Sequence, residues 1–137
     1  TPSVARVMEA LDAERIAVAA ALGIRAMSAR EWLYMAYDAP GKTLFEAMRN
    51  NPGYKGINAP SMVDHRYLWE DVSMSLVPIA ALGKHLKVAT PTIENIIHLA
   101  SLMNQTDYRA EGRTIDRMGL AGLTVAEIRR LALEGDV

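Results

Sequence analysis

Most of the chemistry open to this chain is concentrated in eight consecutive residues, Asp64-His65-Arg66-Tyr67-Leu68-Trp69-Glu70-Asp71. Five of these side chains are acidic, basic or imidazole, and Tyr67 and Trp69 add two aromatic rings. An arginine offers a planar fork of N–H donors that meets a carboxylate through two bonds at once, which a lysine cannot copy. A carboxylate such as Asp71 can hold an imidazole in one tautomer and stabilise the imidazolium formed when a proton moves. A plainer reading stands beside this one. Arg66 and Glu70 lie four residues apart, so on a helix they would form an exposed ion pair of little energetic weight. Asp71 would point about 140° away from Arg66 on the same helix. Spacing alone leaves both readings open.

The rest of the chain offers little. There is no G-x-G-x-x-G fingerprint, no Walker loop and no H-E-x-x-H pair. His65, His85 and His98 have no metal-ligand spacing and read as surface or helix-end residues. Ser61 and Ser101 lack the local signature of a nucleophile. With no cysteine there can be no disulfide and no thiolate metal site, which fits a cytoplasmic protein. Fifteen basic residues against sixteen acidic ones leave no basic stripe for nucleic acid. The longest clean apolar run, Ala17 to Gly23, is too short to span a bilayer. Neither nucleic acid nor a membrane is therefore an expected partner. No signal-peptide pattern opens the chain, and the missing initiator Met suggests a processed chain or a piece of a longer one. A self-contained catalytic site is not expected.

The elements that must position the charged run are helical. Thr1 caps a first helix with Pro2 in its first turn, and Val4, Val7, Met8, Leu11, Ala19 and Leu22 keep a helical rhythm up to Gly23. Ser28 with Glu31, Thr43 with Glu46, and Thr124 with Glu127 each form the S/T-x-x-E pattern of a capping box. The first two open helices closed by Asp38-Ala39-Pro40-Gly41 and Asn50-Asn51-Pro52-Gly53, and the third opens a last helix through Leu133. Asn51 to Val63 reads as a loop, and loops of this length often carry function. A helix is then expected from near Asp64 to Lys84, kinked at Pro78. Two more are expected, one from Thr90-Pro91 with Ile93, Ile96, Ile97, Ala100 and Met103 on one side, and one from Tyr108 to Met118. The eight methionines are scattered and read as packing. No stretch alternates as a strand does, so the expectation is an all-α fold of six or seven helices in one compact domain covering residues 1–137.

Beyond this the sequence shows a family resemblance. The run H-R-Y-L-W-E-D-V-S-M-S-L-V-P-I-A-A-L-G, His65 to Gly83, is similar to a signature of the octopine/nopaline (opine) dehydrogenases. T-P-T-I-E-N-I-I from Thr90, A-E-G-R-T-I-D-R-M-G-L from Ala110, and the opening T-P-S-V-A-R-V-M-E-A-L-D-A-E-R resemble the same family in the same order. The resemblance implies the C-terminal helical domain of an enzyme related to 6-phosphogluconate dehydrogenase-like oxidoreductases. Its partner would be an N-terminal Rossmann domain that binds NAD or NADP and is absent from this chain. The substrates implied are an amino acid and an α-keto acid, condensed to an imine and reduced to a secondary amine. A homodimer is compatible with the resemblance.

By the family's motif, Asp71 corresponds to the catalytic aspartate of a histidine–aspartate pair, and Arg66 to an arginine associated with the substrate carboxylate. Tyr67 and Trp69 would wall the amino-acid pocket. The catalytic histidine belongs to an upstream N-x-x-x-H-P segment that this chain lacks, and His65 does not replace it. Glu111 and Arg113 of the A-E-G-R segment resemble the family, and an exposed helix pair would explain them equally well. Two other readings are a substrate domain of a related dehydrogenase such as ketopantoate reductase, and a helical interaction or oligomerisation module with no catalytic duty.

Overall fold

A computed structural model describes residues 1–135. Among them there is no strand, and the chain is all-α. The helices are α1 (Pro2–Ala21), α2 (Ala29–Tyr37), α3 (Leu44–Asn50), α4 (Arg66–Asp71), α5 (Val77–His85), α6 (Pro91–Asn104), α7 (Tyr108–Glu111) and α8 (Val125–Glu134). A 3-10 turn at Pro52–Tyr54 follows α3, and the backbone is irregular from there to His65. A π turn, Val72–Leu76, joins α4 to α5 without a break.

Local chemistry accounts for several of the helix starts. Ser28 and Thr124 accept the N–H of Glu31 and Glu127, and each glutamate returns a bond from the cap residue's own N–H. The donors of Ser28 and Thr124 hold the Glu31 and Glu127 carboxyls below the usual carboxylate range. The third box forms only in part: Thr43 caps Glu46, but the Glu46 carboxylate takes the N–H of Lys42 instead.

Three starts, those of α2, α3 and α6, also take a bond from a distance, all from α1. Glu9 accepts the N–H of Leu44 at 2.9 Å, Asp12 that of Ala29 at 2.7 Å, and Glu14 those of Thr92 and Ile93 at 2.7 and 2.9 Å. Thr90, expected to open α6, makes no side-chain cap, and Glu14 does that work. Helix N-termini leave N–H groups without intrahelical partners, and a carboxylate also answers the positive end of the dipole.

The larger core joins Val72, Val77 and Ala80 to Ile93, Ile97 and Ala100 of α6 and to Tyr108 of α7. The spacing of Ile93, Ile97 and Ala100 is the helical one expected, although Met103, placed on the same side, is half exposed. Asn104 donates to the hydroxyl of the buried Tyr108 at 2.8 Å. A second, smaller core, Leu33, Ala39, Leu44 and Ala47, locks α2 to α3.

One expected helix is largely absent. α7 ends at Glu111, and residues 112–123 form successive turns. Ile115, Met118 and Leu120 have helical spacing and are partly buried, but the backbone that carries them bends at Gly112. Pro78 does disturb its helix, as expected. The disturbance takes the form of a widened turn one turn earlier, which relieves the ring's clash with the carbonyl four residues back.

Candidate functional site

The long loop delivers the chain to α4 through His65, whose Nδ1 accepts the N–H of Tyr67 at 3.3 Å and so caps the helix. The imidazole meets the Tyr67 ring edge-on, with centroids 4.5 Å apart. The Arg66 guanidinium lies 5.6 Å from the centre of the same ring, within cation–π range. Trp69 donates its indole N–H to Asp64 at 3.0 Å. His65, Arg66 and Tyr67 thus form one stack, and Asp64 with Trp69 a second pair.

Arg66, Tyr67, Trp69, Glu70 and Asp71 are all exposed. Among the described residues, the ion pairs are Arg15–Asp12 and Arg109–Glu94. The Arg66–Glu70 pair of the plainer reading does not form, and the side chains of Glu70 and Asp71 find no partner within the described chain. Asp71 is the last residue of regular helix, and five residues of helix put it about 140° around the axis from Arg66. The structure therefore gathers Arg66 with Tyr67 but leaves Asp71 on a separate bearing. The next residue, Val72, is buried and begins the π turn.

Two clefts lie elsewhere. One, of about 440 Å³, runs between the start of α1 and the end of α3; Arg49 and Lys55 are its charged liners. The other, of about 470 Å³, lies beside the Glu94–Arg109 pair and His85. The Nε2 of His85 donates to the Leu123 carbonyl at 2.7 Å, which makes it a structural residue. Among the described residues no group of three or more His, Asp or Glu could hold a metal, and no helix is long and apolar enough to cross a membrane. None of the described segments is a strand leading into a glycine-rich turn.

The A-E-G-R segment carries a role that the sequence did not reveal. Glu111 and Arg113 are both exposed, but only Glu111 is helical, and Gly112 between them is buried against the π turn. The Arg113 N–H donates to the Ser73 carbonyl at 3.1 Å. Arg117 holds the turn from outside, donating to the carbonyls of Glu111 at 2.6 Å and Gly112 at 3.0 Å. The visible signal was a glycine inside an apparently helical pattern.

Much apolar surface is left uncovered. Trp32, Tyr34, Met35 and Tyr37 of α2 and Leu99, Leu102 and Met103 of α6 are exposed. The accessible surface is 9204 Å², whereas a compact monomer of this mass exposes roughly 7,000 Å².

Residues 1–104 match the family model for the NAD/NADP octopine/nopaline dehydrogenase, alpha-helical domain. The chain belongs to this dehydrogenase family. It is 45% identical over 129 residues to the opine dehydrogenase of Arthrobacter sp. (strain 1C), covering 94% of this chain and 36% of that protein. It is 29% identical over 120 residues to the vitopine synthase of Allorhizobium ampelinum (strain ATCC BAA-846 / DSM 112012 / S4), covering 88% of the chain and 33% of the relative. Against the protein ocs of Agrobacterium tumefaciens (strain Ach5) it is 29% identical over 126 residues, 92% of the chain and 35% of the relative. The chain thus spans about a third of the length of these curated relatives. Its all-α architecture is that of the family's helical domain.

Proposed function

We propose that this chain is the substrate-binding part of an NAD(P)H-dependent opine dehydrogenase, which joins an amino acid to an α-keto acid by reductive condensation. The observation that carries this reading is a row of charged and aromatic side chains, Arg66 to Asp71, left exposed and free of ion pairs in the helical domain of this family. The rest of the enzyme, a dinucleotide-binding domain, holds the NADH or NADPH; the described residues include no strand leading into a glycine-rich turn. Arg66, steadied on the Tyr67 ring, receives a substrate carboxylate through its fork. Tyr67 and Trp69 flank the amino-acid side chain, Trp69 being oriented by Asp64. Asp71 orients and charges a histidine supplied by the other domain.

The uncovered apolar faces of α2 and α6 support a large contact with the remainder of the enzyme. The excess surface, about 2,000 Å², is as large as the area a stable protein–protein contact buries in total. We place the complete enzyme in the cytoplasm, in keeping with a chain free of cysteine.

The test joins this chain to the dinucleotide-binding half of a relative. NADH consumption should require an amino acid and an α-keto acid together, and Arg66→Lys should raise KM for the carboxylated substrate roughly tenfold. Titration of the chain alone with NADH or NADPH should show no specific binding. Micromolar binding of either nucleotide to the isolated chain would overturn the division of labour.

A further inference from the structure

The helix that carries Arg66 and Asp71 is attached to the core through the π turn, and the π turn has a gap in its own hydrogen bonding. The Val77 N–H bonds to the Val72 carbonyl, five residues back. In that register the Ser73 carbonyl should receive the N–H of residue 78, but residue 78 is proline and has none. Ser73 is buried, so its carbonyl needs a partner from outside the helix. The Arg113 N–H supplies it.

The approach of that turn is possible only because residue 112 has no side chain. A Cβ on Gly112 would come within 2.6 Å of the Ser73 carbonyl oxygen and 2.7 Å of Val77 Cγ1. The Ser73 hydroxyl in turn donates to the Trp69 carbonyl, one turn up in α4. A continuous line of contacts therefore runs from Arg117 through Gly112 and Arg113 to Ser73 and into the helix of the charged row. The line matters because a π turn holds one residue more than an α turn. Closing it to α geometry would rotate α4 by about 100° relative to α5 and swing Arg66 and Asp71 to new bearings.

We propose that Gly112 and Pro78 are positioning residues: they make the Arg113 N–H the sole donor to the Ser73 carbonyl and so hold the π turn that aims Arg66 and Asp71. This inference rests on the function proposed above for those two side chains, and adds a determinant that touches no substrate.

The test uses the complete enzyme. Pro78→Ala gives the Ser73 carbonyl a donor within its own helix, so the external bond becomes dispensable. Gly112→Ala pushes the turn off. Each variant should keep its helical spectrum and lose at least tenfold in kcat, and the Arg113 amide should exchange hydrogen at least tenfold faster. In an Asp71→Asn background, Pro78→Ala should cost less than threefold more, since the group it aims is already disabled. Undiminished kcat and KM in folded Pro78→Ala, beside a large loss in Asp71→Asn, would refute the positioning role and leave the proposed function standing. Fully additive losses would refute it as well, by showing a merely structural effect. If Asp71→Asn is itself active, the function assigned to the row falls and this inference with it. Should Gly112→Ala fail to fold, Pro78→Ala decides alone.

Discussion

Between Glu9 and Arg15 the first helix carries four charged residues, and between Asp64 and Asp71 the chain carries five acidic, basic or imidazole ones. In the first stretch every charge is answered inside the fold. Glu9, Asp12 and Glu14 accept N–H groups at the starts of three other helices, and Arg15 binds Asp12 and the Met27 carbonyl. In the second, among the described residues, His65 caps its own helix and Asp64 accepts the Trp69 indole N–H, Arg66 rests on an aromatic face, and Glu70 and Asp71 meet no side-chain partner. Charges placed against backbone donors lower the free energy of the fold. Charges left in solvent contribute almost nothing to it, so removing them should cost the fold little.

The sharpest test of this contrast is Asp71→Asn in the complete enzyme. Its kcat should fall by about a hundredfold, roughly 2.7 kcal/mol of activation free energy, while Tm moves by no more than about 2 °C. A much larger fall in Tm with normal kcat would place Asp71 with the structural charges, and no change in either would make it an idle surface charge.

Glu14→Gln should behave in the opposite way, costing about 1–2 kcal/mol of stability in chemical denaturation and leaving kcat within twofold. The Glu14 carboxyl is pulled in two directions. Burial raises it, but the N–H of Ile93 and the hydroxyl and N–H of Thr92 outweigh burial and hold it below the ordinary carboxylate range. Its contribution is therefore fully present above the unfolded carboxylate's range and is lost as pH falls through the lowered folded value. Melts between neutral and acidic pH should show the Glu14→Gln deficit shrinking as the wild type loses that advantage. A deficit that is constant with pH would point to packing alone.

The smallest effect is expected at Glu70→Gln, within about 0.5 kcal/mol in stability and twofold in kcat, since Glu70 is exposed and pairs with nothing on the described chain. A large effect there would restore the ion pair with Arg66.

The same contrast explains what could be read from the sequence. Ser28 with Glu31 and Thr124 with Glu127 were legible because every atom of a capping box lies within four residues. Glu14 was not, since the helix start it serves is 78 residues away. The all-α pattern and the buried face of α6 followed from spacing, as did the disturbance at Pro78. The helix expected to reach Met118 did not form: the backbone bends at Gly112 and the Arg113 N–H turns to the Ser73 carbonyl, a contact that periodicity cannot register. In the candidate site, Arg66 and Asp71 stood out by residue type and by family resemblance. The Gly112–Arg113 turn beneath them works through its backbone, and backbone roles leave little mark on composition.

The acidic row of α1 also bears on how the molecule comes apart. Three helices take a hydrogen bond at their starts from one element, so each loses a cap once that element lifts away. The amides of Ala29, Leu44, Thr92 and Ile93 lie far apart along the chain, yet they should lose protection against hydrogen exchange together. They would report a single cooperative opening whose boundary follows α1.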